Sequence, residues 1–233
     1  MNKEQFINEL KKININITDE MLSKLDEYYH ILVEENSKYN LTAITDEPSV
    51  YLKHFYDSLS IIKIINLNNQ YLLDIGTGAG FPGLVLKIIF PNLKIDLLDS
   101  TNKKCLFLQK VIDKLKLKDI NVINARAEEY AKVNREKYDL VTSRAVAPLK
   151  HLLEYSIPLL KVNGHFISLK SNIDEELTNI NNYYHKLFLS DEKIIKFELP
   201  YEHSLRTLYK ITKQKETPSI YPRTYSQIKK KDI

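Results

Sequence analysis

The sequence predicts an α/β domain built on a seven-stranded, mostly parallel sheet with one antiparallel strand, preceded by N-terminal helices. Three observations carry this. From residue 71 onward, short apolar runs alternate with stretches of helical periodicity, the pattern of a sheet covered on both faces. The last two runs, 193–198 and 205–212, are too close for a crossover helix between them, so they must pair antiparallel. Four of the chain's five glycines crowd into residues 76–83, at the end of the first run, where a strand must turn sharply into a helix.

Two helices open the chain. Thr18 is a candidate N-cap, with Asp19 and Glu20 in the first turn, where the helix dipole favours negative charge. Met21, Leu22, Leu25, Tyr28, Tyr29, Leu32 and Val33 recur at helical spacing, an apolar face that must pack on something. A loop at 40–45 leads to Pro48, which suits the first residue of a further helix reaching about residue 65. Strands are expected at 71–75, 94–98, 121–124, 138–142, 165–169, 193–198 and 205–212. Helices are expected at 82–90, 103–117, 127–133, 149–160 and 173–187. The tail after Lys213 is polar, holds Pro218 and Pro222, and is expected to be irregular. The organisation is therefore a helical extension over 1–65 packed on the core, a ligand-binding core over 66–213, and a basic C-terminal tail over 214–233.

With 233 residues the chain can bury a substantial core, and 43% hydrophobic with 27% charged residues excludes global disorder. The single Cys105 excludes an intramolecular disulfide and a multi-cysteine zinc site. No uncharged apolar run approaches the roughly 18 residues of a membrane span, and Met1-Asn2-Lys3-Glu4-Gln5 lacks the apolar core of a signal peptide. These features predict a soluble, cytoplasmic protein with no membrane partner. No long heptad and no second domain are visible, so a monomer is the default. The formal charge of +4 is too small to identify a nucleic-acid partner by itself. Its location is more informative: from Lys210 onward seven basic residues face two acidic ones, so the rest of the chain is slightly acidic.

The glycine loop reads Asp74-Ile75-Gly76-Thr77-Gly78-Ala79-Gly80-Phe81-Pro82-Gly83. Ligands of open α/β sheets bind at the carboxyl ends of such strands. The segment from Gly78 to Gly83 satisfies the dinucleotide pattern G-x-G-x-x-G, and Asp99 at the end of the second strand could hold a ribose. Folds that bind nicotinamide dinucleotides and folds that bind S-adenosylmethionine both use that acidic residue. Two features favour S-adenosylmethionine: Asp74 just before the first glycine, where an acidic residue lies near the donor's ammonium group, and the antiparallel closing hairpin. Asp99 also has a plainer reading as a cap for the helix that follows Ser100-Thr101.

Several segments together resemble the ribosomal RNA small subunit methyltransferase G family, formerly called glucose-inhibited division protein B. They are Asn40-Leu41-Thr42-Ala43-Ile44, His54-Phe55-Tyr56-Asp57-Ser58-Leu59, Asp74 through Gly83, Ala125-Arg126-Ala127-Glu128-Glu129, Ser143-Arg144-Ala145-Val146-Ala147-Pro148 and Tyr221-Pro222-Arg223. They span most of the chain in the family's order. The resemblance implies a Rossmann-like, S-adenosylmethionine-dependent methyltransferase fold. It also implies methyl transfer to N7 of one guanine in helix 18 of 16S ribosomal RNA. Carried over by position, Gly76, Gly78 and Phe81 would contact S-adenosylmethionine, Asp99 would hold the ribose, and Ala127 and Glu128 would flank the adenine. Arg144 would face the donor and the incoming nucleotide. The tail departs from the family, which has a glycine after the arginine and ends in Lys-Lys-Pro-hydrophobic; Lys229-Lys230-Lys231-Asp232-Ile233 lacks that proline.

Guanine N7 has an in-plane lone pair and no proton at neutral pH, so this chemistry asks for alignment and electrostatics rather than a base. No Asn/Asp-Pro-Pro-aromatic stretch, the mark of amino-group methylation, follows the fourth strand; Ser143-Arg144-Ala145-Val146 stands there instead. Cys105, in a helical stretch, reads as a packing residue rather than a nucleophile. No catalytic side chain and no metal ligand is therefore nominated. The partner is 16S ribosomal RNA or the small ribosomal subunit. Phosphate contacts are expected from Arg126, Arg144, Arg206 and Arg223, with Lys103 and Lys104 as further candidates. His54 is either close to the target base or a hydrogen-bonded structural histidine. The alternatives are a nicotinamide-dependent oxidoreductase and a non-catalytic RNA-binding protein that retains a vestigial pocket.

Overall fold

A computed structural model describes residues 1–178 and 180–233. Among these, seven strands form one sheet: β1 (Tyr71–Ile75), β2 (Lys94–Asp99), β3 (Ile120–Asn124), β4 (Tyr138–Arg144), β5 (Leu160–Lys170), β6 (Leu189–Glu198) and β7 (Leu205–Lys213). Their order is β3-β2-β1-β4-β5-β7-β6. The pairs among β1 to β5 are parallel, and β7 runs antiparallel to both β5 and β6. The order reverses between β1 and β4, which opens a crevice at their carboxyl ends.

Alternation along each strand divides the interior in two. Leu72, Leu97, Leu140, Ile167 and Leu208 point to one face, under α5 (Gly83–Ile89), α6 (Asn102–Leu115) and the N-terminal helices. Their neighbours Leu73, Leu98, Val141, Phe166 and Tyr209 point to the other, under α7 (Ala127–Val133), α8 (Leu149–Ser156) and α9 (Asn181–Leu187). Both faces are covered, as the alternating pattern requires.

The N-terminal helices are α1 (Lys3–Lys12) and α2 (Asp19–Tyr39), the second capped by Thr18, whose Oγ1 accepts from the Met21 N–H at 3.2 Å. The apolar stripe of α2 packs inward through Leu25, Tyr28 and Leu32, all fully buried. The next helix starts at α3 (Glu47–Val50), with Asp46 as its N-cap and Pro48 in its first turn. It widens into a π-helical turn, Tyr51–Tyr56, then tightens through α4 (Asp57–Leu59) to a 3-10 turn, Ser60–Lys63. Such widened turns recur at functional sites because they turn backbone carbonyls away from the helix ladder.

Two expectations are corrected. The helix expected over 173–187 forms only as α9. Residues 174–178 are turns, where the Asn172 side chain takes the Asp174 N–H and the Thr178 hydroxyl takes the Glu175 carbonyl, local bonds that compete with a helix. Residue 179 of that stretch lies outside the described residues. The tail is not irregular throughout: it carries α10 (Tyr225–Lys230), started by a capping box between Thr224 and Gln227, and buries Ile228 and Ile233.

Candidate functional site

The loop from Gly76 to Gly83 joins β1 to α5 at the crevice. Gly80 has φ +97°, and a Cβ there would stand 2.7 Å from the Tyr28 hydroxyl of α2, so protein atoms already fill its surroundings. Gly78 differs. It also needs a left-handed backbone (φ +61°), yet a Cβ would meet nothing nearer than the Gly76 carbonyl at 3.9 Å. Space beside Gly78 is open. Asp99 fixes the loop from β2: its Oδ2 accepts from the Gly78 N–H at 3.0 Å and its Oδ1 from the Thr101 N–H at 2.8 Å. From the other side, the Tyr28 hydroxyl donates to the Ala79 carbonyl.

Two clefts meet here, sharing Gly76, Arg144 and Ala145. The first, about 410 Å³, is bounded by Asp99, Lys104, Ala127, Glu128, Tyr155 and Tyr225. The second, about 400 Å³, is bounded by Thr42, His54, Asp57, Phe81, Lys170 and Arg206. Each falls within the 300–1,000 Å³ typical of small-molecule sites.

Arg144, at the end of β4, holds the junction. Its Nη1 donates to the Lys53 carbonyl at 2.9 Å and to Asp57 Oδ2 at 3.2 Å, and its guanidinium lies 5.1 Å from the centre of the Phe81 ring. The π-helical turn supplies that carbonyl. Arg206 Nε donates to the other oxygen of Asp57 at 3.1 Å, so one buried carboxylate braces two guanidiniums. The His54 ring stacks on Phe81 with centroids 4.3 Å apart. Its Nδ1 lies 3.2 Å from the Lys53 carbonyl and 3.3 Å from Arg144 Nη2, one a pure acceptor and the other a pure donor. Its Nε2 and Thr42 Oγ1 share a hydrogen bond of 3.0 Å. Burial, reinforced by the Arg144 charge, pushes the imidazole down to about 3. His54 is a neutral, flat wall.

Asp74 lies beneath the loop and borders neither cleft. Its Oδ2 accepts from the Gly83 N–H at 2.8 Å, which ties α5 to β1. Complete burial raises its carboxyl to about 7, against the opposing pull of the Gly83 N–H and Arg144. Among the described residues, Asp74 Oδ1, Thr77 Oγ1 and Ser143 Oγ are buried around this loop without a hydrogen-bond partner.

The structure thus brings Gly76, Asp99, Ala127, Glu128, Arg126 and Arg144 together around the first cleft, and Gly78, Phe81, Arg144 and Arg206 around the second. Arg126 Nε donates to Glu128 Oε1 at 2.6 Å, with half the arginine side chain exposed. Lys104 lies 3.7 Å from Asp99 Oδ2, while Lys103 is exposed and borders neither cleft. Arg223 lies apart: Nε and Nη2 grip the fully buried Glu154 at 2.8 and 2.7 Å, so its guanidinium anchors the tail. Cys105 is buried, with its Sγ 3.5 Å from the Asp99 carbonyl, and burial raises its thiol. Sequence reasoning missed Tyr155, Tyr225, Lys170 and the carbonyl of Lys53. No motif marks them; the fold alone gathers them. No group of three or more histidine, cysteine or carboxylate side chains suited to a metal stands together among the described residues, and no helix is long and apolar enough to cross a membrane.

Comparison with solved structures matches the crossover sheet. The chain aligns with the tRNA (m1A58) methyltransferase TrmI of Aquifex aeolicus (TM-score 0.53, 17% identity, 68% of each chain covered). It also aligns with TYW2 of Pyrococcus horikoshii in complex with MeSAdo (TM-score 0.55, 10% identity, covering 73% of this chain and 64% of that one). The fold is that of the Rossmann-like methyltransferases. In sequence it is similar to the ribosomal RNA small subunit methyltransferase G of Mesoplasma florum, at 49% identity over 91% of this chain and 90% of the relative. It is likewise similar to that of Ligilactobacillus salivarius, at 46% identity over 96% and 95%. The family model for rRNA small subunit methyltransferase G matches residues 21–204, a span that contains the glycine loop, Asp99, His54 and Arg144. With both clefts built almost entirely from that span, the chain belongs to the rRNA small subunit methyltransferase G family.

Proposed function

We propose that the chain transfers the methyl group of S-adenosylmethionine to N7 of a guanine in helix 18 of 16S ribosomal RNA. It would act as a cytoplasmic monomer on that RNA or on the small ribosomal subunit. The observation that most supports this is the pair of clefts meeting at Gly76, Arg144 and Ala145, one able to take a nucleoside and the other walled by Phe81 and His54. Family membership favours methyl transfer over a nicotinamide-dependent oxidoreductase.

The first cleft fits the donor. Gly76 brings the loop backbone to this cleft, Asp99 offers a carboxylate to a ribose, and Ala127 and Glu128 border the place for the base, while the open space beside Gly78 lies on the second cleft, where the two meet. Asp74, under the loop, acts on an ammonium group through its field rather than by contact. When bound, S-adenosylmethionine supplies a methyl carbon activated by the sulfonium charge.

The second cleft suits a purine turned out of its helix. Phe81 and neutral His54 give it a flat wall, and Arg144 stands at the passage between the clefts. As the N7–carbon bond forms and the sulfur–carbon bond breaks, positive charge passes to the purine and no proton has to be removed. Asp57, buried between Arg144 and Arg206, neutralises one of their two positive charges. Arg126 and Arg206 are placed to meet phosphates at the rim. In this reading residues 66–213 form the transfer core, 1–65 a helical extension that holds the glycine loop, and 214–233 a tail closing the first cleft.

Incubation with labelled donor and 16S RNA, followed by mass-spectrometric mapping, is expected to give N7-methylguanine at one site in helix 18. Label at another atom or another helix overturns the assignment.

A further inference from the structure

One wall of the first cleft comes from outside the α/β core. Tyr225, the first residue of α10, borders it beside Asp99, Arg126, Ala127 and Glu128. The ring is held from two directions: the Arg126 guanidinium carbon lies 4.3 Å from its centre and Lys229 Nζ lies 5.0 Å away. Arg126 is itself fixed by Glu128. Residues on either side of Tyr225 do the anchoring, Arg223 through the buried Glu154 and Ile228 through the core. Tyr225 touches the core through Arg126. It stays 41% exposed at the cleft, in a run of exposed residues between the anchors at Arg223 and Ile228.

An exposed aromatic ring costs side-chain ordering and gains little packing, so a fixed one at a cleft mouth calls for a ligand face. The cleft is otherwise lined by small or aliphatic residues such as Ala127 and Val146 and by charged ones such as Asp99 and Arg144, with Tyr155 as its other aromatic side chain. A heterocyclic base needs a flat apolar surface as well as polar edges.

We propose that Tyr225 is a binding residue for the adenine of the methyl donor, an aromatic ring carried by the tail helix and held at the cleft by Arg126. The proposal rests on the donor assignment made above. It gives the tail a task at the cleft, in a segment that departs from the family's closing pattern.

The test is calorimetric titration of the full chain with S-adenosylhomocysteine, alongside filter binding of 16S RNA and a thermal melt. Tyr225→Ala is expected to raise the Kd for S-adenosylhomocysteine about tenfold, the factor carried by about 1.4 kcal/mol of lost stacking. Tyr225→Phe keeps the ring and is expected to bind like the unaltered chain, and both variants keep its melting temperature. Arg126→Ala, which frees the ring without removing it, is expected to fall between the two. An unchanged Kd in Tyr225→Ala overturns the proposal. Weakened RNA binding with an unchanged Kd also overturns it, and would assign the ring to an RNA base. If the unaltered chain does not bind S-adenosylhomocysteine, the donor assignment itself fails, a result separate from any effect of Tyr225.

Discussion

Arg144 reaches across some ninety residues of sequence to the Lys53 carbonyl, Asp57 and Nδ1 of His54. Arg144→Ala leaves Asp57 its partner Arg206, so the fold should lose only about 1–2 kcal/mol. Methyl transfer should fall about 100-fold, because Arg144 fixes the passage between the clefts and so the alignment of donor and base. Parallel urea denaturation and transfer assays check this; equal proportional losses would make the arginine structural. Gly78→Asp puts a carboxylate into the open space of the loop. It should abolish donor binding in calorimetry while costing the fold only about 1–2 kcal/mol of backbone strain. Asp74 gives a pH signature. Its carboxyl titrates near 7 when folded and near 3.8 in its ordinary state, so the folded chain holds the extra proton between these values. Stability from this group is complete below 3.8 and drains away as pH rises through 7. Asp74→Asn cannot titrate. Between pH 5 and pH 8 the unaltered chain should therefore lose about 2 kcal/mol more than the variant, read from urea denaturation at both pH values.

Among the elements, the tail is the clearest test. Arg223→Ala leaves Glu154 buried without its cation and should cost about 3–5 kcal/mol. Glu154→Gln, which keeps a neutral acceptor, should cost less; chemical denaturation of both variants measures the difference. The tail also shows where sequence reading stops. Its polar residues and prolines suggested an irregular end, since nothing in a linear pattern pairs Arg223 with a carboxylate 69 residues earlier. By contrast, Thr18 as a cap and the stripe on α2 were legible, because caps and helical faces are local physics. The π-helical turn was not. A helix was expected over that stretch, but its widening leaves the composition unchanged and shows only in where the Lys53 carbonyl points. The early end of the helix expected over 173–187 had a readable cause, side chains of Asn172 and Thr178 that compete for the backbone, which periodicity outweighed.

Over the whole molecule, the parallel sheet and its closing hairpin followed from strand spacing alone, and the glycine cluster located the crevice. What the spacing could not give was the set of tyrosines that reach that crevice from both ends of the chain, since long-range packing decides them. The opposite edge of the sheet has different work. At the amino ends of β1, β2 and β4, Asp96 accepts from the hydroxyls of Tyr71 and Tyr138 at 2.7 and 2.6 Å, from Asn121 at 2.9 Å and from Lys137 at 3.0 Å. Asp96→Ala should lower stability by about 3–5 kcal/mol. Its Kd for S-adenosylhomocysteine should stay unchanged at a temperature where it remains folded, measured by calorimetry.

The bond between Arg223 and Glu154 also bears on how a gene for such a chain can fail. Any stop codon upstream of position 223 strips the buried carboxylate of its counter-charge, however complete the preceding sheet. Late truncations should therefore destabilise the chain at least as much as loss of the Arg223 side chain, although every strand and the glycine loop are still encoded.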